Sequence, residues 1–276
     1  MRSAITVSLV PQAQGGPFVF WQGLAGACES AAALGFDAIE IFAPSAEAID
    51  RAELRQLLER HSLRVAAFGT GGGWVLHKWH LLHDDLEVRA QARKFIQSII
   101  DLAGEFSAPA IIGSMQGRIE GKLSREHALD LLRESLSDLG EQAAQHGVPL
   151  LLEPLNRYET NVFNRLADAV DFVCTLRTSH VKILADLFHM NLEEASIPAA
   201  LRAAGLHIGH VHFADSNRHA VGLGHIDIRP IVAVLREIGY RGYLSGEILP
   251  LPNSHSAAAQ TAKAFRDYVE SCGSHA

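Results

Sequence analysis

Four side chains able to bind a cation or move a proton close four short apolar runs in the second half of the chain. They are Glu153 in Leu150-Leu151-Leu152-Glu153-Pro154, Asp186 in Ile183-Leu184-Ala185-Asp186, His212 in His210-Val211-His212, and Glu247 in Leu244-Ser245-Gly246-Glu247. Runs this short and this apolar predict strands buried on both faces, as in parallel sheets. Pro154 withholds a ladder hydrogen bond, so its strand stops at Glu153. A carboxylate buried at a strand end is costly unless it is paired, hydrogen-bonded or bound to a cation. Three of them converging would repel one another and raise one another's pKa, and a divalent ion relieves that repulsion. Mostly oxygen ligands with one imidazole suit Mn²⁺, Mg²⁺ or Co²⁺, with Zn²⁺ as an alternative. Singly, each carboxylate could as well cap a helix or pair with a cation; four on consecutive strands point to a metal centre. His210 and His212 share a strand face, and one of them is expected to fill the barrel or stand behind the ligand.

The elements that must position these groups alternate along the chain. Apolar runs at Ala4–Val10, Ala38–Phe42, Arg64–Phe68, Ala108–Ile112, the Glu153 run, Val181–Leu187, Ile208–Ala214 and Tyr243–Leu249 are separated by stretches with helical spacing. Gly35 is a plausible helix C-cap, and the segment Met190–Ala204 reads as a helix interrupted by Pro198. Eight strand–helix units predict a parallel (β/α)₈ barrel with one domain over residues 1–276. In such a barrel the C-terminal strand ends carry the active site. An open doubly wound sheet is the alternative, but the first strand is not followed by a glycine-rich phosphate turn. Gly69–Gly73 reads as a phosphate cradle or a mobile loop at the barrel mouth. The stretch Trp74–His83, with Trp74, His77, Trp79, His80 and His83, reads as a lid or an apolar wall.

Composition narrows the classes. The chain has 276 residues, 48% hydrophobic and 20% charged, with a net charge of −7. That is a globular composition, and the acidic balance disfavours nucleic acid and anionic membrane surfaces. Cys28, Cys174 and Cys272 lack paired spacing, which argues against a disulfide framework or a cysteine zinc site. The first ten residues do not form a signal peptide and no segment approaches membrane-spanning length, so a cytoplasmic protein is expected.

The stretches Glu153-Pro154-Leu155-Asn156-Arg157-Tyr158-Glu159-Thr160, Ile183 to Asn191, His212-Phe213-Ala214-Asp215-Ser216-Asn217-Arg218 and Gly246-Glu247-Ile248-Leu249-Pro250 resemble the xylose isomerase-like barrel superfamily. Within it they resemble the ketose 3-epimerases related to D-tagatose 3-epimerase, with the 5-keto-L-gluconate epimerases the nearest likeness. Weaker similarity extends through Ala67–Gly71 and Ile111–Gly113. The resemblance implies one divalent ion, Mn²⁺ first, held by Glu153, Asp186, His212 and Glu247. It implies that Glu153 and Glu247 are also the acid–base pair, and that Glu159, His189 and Arg218 grip the substrate. A dimer or tetramer is the expected assembly.

The chemistry expected is inversion of the carbon beside the ketone of a keto-sugar or keto-sugar acid. Two bases would remove and return the proton through an enediolate, with the ion as Lewis acid. Arg218 would suit a substrate carboxylate. An aldose–ketose isomerase of the hydroxypyruvate isomerase kind and a 3-oxo sugar acid decarboxylase are the close alternatives. A multi-zinc DNA-repair endonuclease would need further His and Asp ligands on the earlier strands, which this sequence does not offer, and a basic groove, which the net charge of −7 disfavours. A non-catalytic sugar-binding protein would not need two opposed bases.

Overall fold

A computed structural model describes residues 1–271; Cys272 lies outside them. The elements run β1 (Arg2–Ser8), α1 (Gly23–Leu34), β2 (Ala38–Phe42), α2 (Arg51–His61), β3 (Arg64–Gly69), α3 (Gly72–His77), α4 (Leu86–Glu105), β4 (Ala110–Ile112), α5 (Arg125–Gln145), β5 (Leu150–Leu152), α6 (Leu166–Val173), β6 (Val181–Asp186), α7 (Leu187–Glu193), α8 (Ile197–Ala204), β7 (Ile208–His212), α9 (Ile228–Glu237), β8 (Tyr243–Gly246) and α10 (Ser254–Phe265). The eight strands are parallel and close into a barrel in chain order, β8 pairing back onto β1. This is the (β/α)₈ fold that the alternation predicted.

Local chemistry places the helix starts. Asp50, Asp85, Ser124, Ser196, Asp227 and Asn253 each accept a backbone N–H in the first turn of the helix that follows. Gly35 closes α1 at a left-handed φ of +80°. Pro198 sits in the first turn of α8, where its missing N–H costs nothing. The break in the segment 190–204 therefore precedes it, between α7 and α8, and Pro198 starts a helix where an interruption was expected.

Strand residues alternate between two apolar environments. Ala110, Ile112, Leu150, Leu152, Ile183 and Ala185 face the helices in the main core. Ile111, Leu151 and Leu184 pack with Ala67 in a separate cluster inside the barrel. That interior cluster comes from β3 to β6. The strands on the other side, β7, β8, β1 and β2, send in polar groups, including His210, Ser245, Thr6 and Glu40, alongside a small apolar cluster of Ala4, Ala38 and Tyr243 with Ala66. The C-terminal mouth of the barrel is built on top of this split interior.

Candidate active site

Each candidate ligand sits at or just past its strand. Asp186 and His212 end β6 and β7, while Glu153 and Glu247 stand one residue beyond β5 and β8. The His212 Nδ1 lies 3.0 Å from Asp186 Oδ2 and 3.3 Å from both Glu153 Oε1 and Glu247 Oε2. The ligand-type atoms of all four residues fall within 4.8 Å of one another. Four groups from four adjacent strands thus meet at one point, as their sequence positions predicted. Glu153 Oε1 is buried without a hydrogen-bond partner and faces this cluster, an acceptor that a cation would satisfy. The donor set, three carboxylates and one imidazole, fits one divalent ion.

Asp186 serves two purposes. Its Oδ1 caps α7 by accepting the N–H groups of Phe188 at 2.8 Å and His189 at 3.1 Å. That leaves Oδ2 for the cluster. The helix-cap reading holds for Oδ1, while Oδ2 lies among the candidate ligand atoms.

The expectation that all three carboxyls move upward does not hold. Burial pushes Glu247 up to about 8, with Glu153 and Asp186 adding to the rise and His212 and Arg218 opposing it. For Asp186, burial acts upward too, but Arg218, His189 and His212 outweigh it and hold the carboxyl well below its ordinary range. The reason is that two cationic groups lie within the cluster. The Arg218 guanidinium pairs with Asp186 Oδ2 at 2.8 Å and with Glu247 Oε2. Burial opposes charge on His212, but Glu247, Glu40, Asp186 and Glu153 raise its pKa well above normal.

Arg218 reaches the site from the loop after β7 with a left-handed φ of +61°. The Asp215 carboxylate organises that loop by accepting the backbone N–H of Ser216, Gly222 and Ile226 at 2.7, 2.8 and 3.1 Å. The Arg218 N–H donates to the Asp215 carbonyl, and the Arg218 carbonyl accepts from Leu249 N–H. A strained backbone held this firmly is typical of a functional position.

His189 and Glu159 come together through a residue that the sequence alone did not single out. Asn156 Nδ2 donates to Glu159 Oε1 and lies 2.8 Å from His189 Nδ1. Asn156 Oδ1 accepts the Tyr158 N–H at 3.0 Å, which fixes the amide with its nitrogen toward His189. Nδ1 then accepts, and Nε2 carries the hydrogen and points toward Glu153 Oε1, 3.9 Å away. Behind the cluster is a second unforeseen residue, Glu40 of β2. Its Oε2 lies 2.8 Å from His210 Nε2 and its Oε1 3.0 Å from His212 Nε2. The sequence signal was a lone acid in the otherwise apolar strand Ala38–Phe42. His212 lies in the four-residue cluster, and His210 stands behind it on Glu40.

A cavity of about 490 Å³ opens above the cluster, within the span of about 300–1,000 Å³ usual for small-molecule sites. Glu153, Glu247, His212, His189, Glu159 and Arg218 line it together with the apolar Phe18, Phe42, Trp74, Val75, Phe188 and Leu249. Arg218 is the one Arg or Lys in that lining among the described residues.

The Gly69–Gly73 run is not an extended loop, since Gly69 ends β3. Gly72 and Gly73 are buried and begin α3. A Cβ on Gly71 would come within 2.7 Å of the Phe42 ring, and one on Gly72 within 2.4 Å of the Ala43 carbonyl. The glycines let this turn pack closely. Of the stretch Trp74–His83, Trp74 and Val75 line the cavity, while His77 stacks on Trp79 at a ring distance of 4.2 Å.

Residues 28–268 match the xylose isomerase-like TIM barrel family. The chain is 31% identical over 243 residues to D-psicose 3-epimerase of Agrobacterium fabrum, covering 87% of this chain and 83% of that protein. It is 30% identical over 226 residues to 3-dehydro-D-guloside 4-epimerase of Escherichia coli, covering 78% and 81%. The crystal structure of D-psicose 3-epimerase with D-tagatose from Clostridium cellulolyticum H10 superposes with a TM-score of 0.77 at 25% identity, covering 98% of this chain and 99% of that one. With its barrel, its strand-end cluster and these relatives, the chain belongs to the xylose isomerase-like TIM barrel family and, within it, to the sugar epimerases of the isomerase class.

Proposed function

We propose that this protein is a divalent-metal-dependent epimerase that inverts the carbon next to the ketone of a ketose. The observation that carries this reading is the pair of carboxylates, Glu153 and Glu247, both 3.3 Å from one imidazole nitrogen at the floor of a sugar-sized cavity. Inversion needs a proton removed and a proton returned, and two carboxyls from β5 and β8 do this without turning the intermediate. Glu153, Asp186, His212 and Glu247 would hold the ion, Mn²⁺ first with Mg²⁺, Co²⁺ or Zn²⁺ as alternatives, and a Lewis acid there supplies stabilisation for negative charge on an enediolate. Epimerisation is reversible, so each glutamate acts as base in one direction and acid in the other.

His189 donates from Nε2 to a substrate oxygen, with Asn156 holding its tautomer, and Glu159 accepts a substrate hydroxyl. Arg218 steadies developing negative charge. It pairs with Asp186 and Glu247, and its Nε and Nη1 are left without hydrogen-bond partners. Against Glu153, Asp186, Glu159 and Glu247, one guanidinium and one dication leave no positive surplus for an anionic substrate. The charge count therefore favours a neutral ketose over a keto-sugar acid or a phosphate ester. The relatives named for D-psicose and for a dehydroguloside support the same class.

The test is solvent exchange. Ion-stripped protein reloaded with Mn²⁺ is incubated in D₂O with ketohexoses, ketopentoses and keto-aldonates, and products are read by NMR. Deuterium at the carbon beside the ketone together with the epimer supports the reading. Deuterium at the terminal carbon with an aldose would replace it with an isomerase, and release of CO₂ from a keto acid with a decarboxylase.

A further inference from the structure

We infer that Glu40 is a positioning residue for the candidate metal centre: its carboxylate, held by His210, fixes the His212 ring with Nδ1 turned toward Glu153, Asp186 and Glu247. The inference rests on the metal-dependent reading above. Glu40 lies in the middle of β2, 4% exposed, in the barrel interior. A charge there is costly unless fully satisfied. Each oxygen has one partner, His210 Nε2 at 2.8 Å and His212 Nε2 at 3.0 Å. An ionised carboxylate only accepts, so both Nε2 atoms carry hydrogen. With Nε2–H committed to Glu40, the Nδ1 lone pair of His212 is the one left for an ion, and turning the ring over would break the Glu40 bond. A carboxylate behind a ligating histidine fixes its tautomer and raises its basicity.

The backbone is adjusted at these two residues. The β2–β3 register shifts between Ile39 and Glu40, so that Ala66 is unpaired. The β6–β7 register shifts opposite Gly209, directly before His210. Gly209 has no room for a side chain, since a Cβ would lie 2.7 Å from Lys182 Cβ and 2.8 Å from Leu151 Cδ2. Such bulges re-aim neighbouring side chains and cluster near active sites. Here they stand beside Glu40 and His210, which come from strands 170 residues apart.

Mn²⁺ binding to the ion-stripped full chain, measured by calorimetry and electron paramagnetic resonance, tests this. The parent is expected to bind one ion per chain. Glu40→Gln keeps the shape and removes the charge, and is expected to weaken Mn²⁺ affinity about 10- to 100-fold while the far-ultraviolet dichroism stays that of the parent. His210→Gln leaves the Glu40–His212 bond in place and should weaken affinity less. If Glu40→Gln fails to fold, Glu40→Asp, too short to reach both rings, takes its place with the same expected loss. Parental affinity in the Glu40 variant, or a larger loss in His210→Gln, overturns the inference. Two ions per parent chain, one of them lost in His210→Gln, also overturns it, because Glu40, His210 and His212 would then be ligands themselves. A parent that binds no divalent ion instead overturns the metal reading on which it rests.

Discussion

The two halves of the barrel build one mouth from different chemistry. Strands β5 to β8 deliver Glu153, Asp186, His212 and Glu247 to a point, and the loop after β7 adds Arg218. Strands β1 to β4 and their loops deliver Phe18, Phe42, Trp74 and glycines. A Cβ on Gly71 would strike Phe42, and one on Gly113 would lie 2.5 Å from Glu153 Oε2. The second half concentrates charge where one cation can neutralise it. The first half sets shape and supplies a single acid to the cavity lining, Glu40, whose carboxylate meets His212. Reaction and substrate fit are therefore separable by mutation.

The widest contrast is in turnover. Glu247→Gln should lower kcat by about 10³-fold and leave much of the ion binding, read by steady-state assay and calorimetry; full activity would end the two-base scheme. Next comes stability. Arg218→Met leaves the Asp186 carboxylate without its buried guanidinium counter-ion and should destabilise the ion-free protein by about 3 kcal/mol, seen in chemical denaturation. An unchanged midpoint would mean that Arg218 does not hold the cluster together.

The pH dependence follows from the same half. Glu247 releases its proton near pH 4.5 when unfolded but only near pH 8 when folded. Its contribution is complete below pH 4.5 and is lost as pH rises to about 8. His212, also raised, acts in the same direction. Thermal melts of the ion-free protein should therefore fall from pH 5 to 8. Saturating Mn²⁺ should remove the fall, because ligands bind deprotonated. A melt that rises over that interval without ion would contradict the proton placement. The smallest effect belongs to the first half: Trp74→Ala should raise KM about 10-fold, roughly 1.4 kcal/mol, with kcat nearly unchanged. A kcat loss matching that of Glu247→Gln would erase the distinction between the halves.

The comparison also shows what was legible. Asp186 and Glu153 could be placed because each closes a three- or six-residue apolar strand, and the strand period is local. Ser124 and Gly35 mark helix ends through bonds to near neighbours. The strand ends were overshot at Glu247, because Ile248 and Leu249 continue the apolar pattern after pairing has stopped at Gly246.

By itself, then, the sequence determined the eightfold alternation and the four strand ends that meet, since both follow from short-range periodicity and burial. Only the tertiary structure decided how the charges are shared. Glu40 meets His210 across the barrel, Arg218 neutralises Asp186 and Glu247 from a loop, and the Gly71 turn packs on Phe42. These contacts join residues far apart in the chain, and no local pattern encodes which distant partner a buried charge or an absent side chain will have.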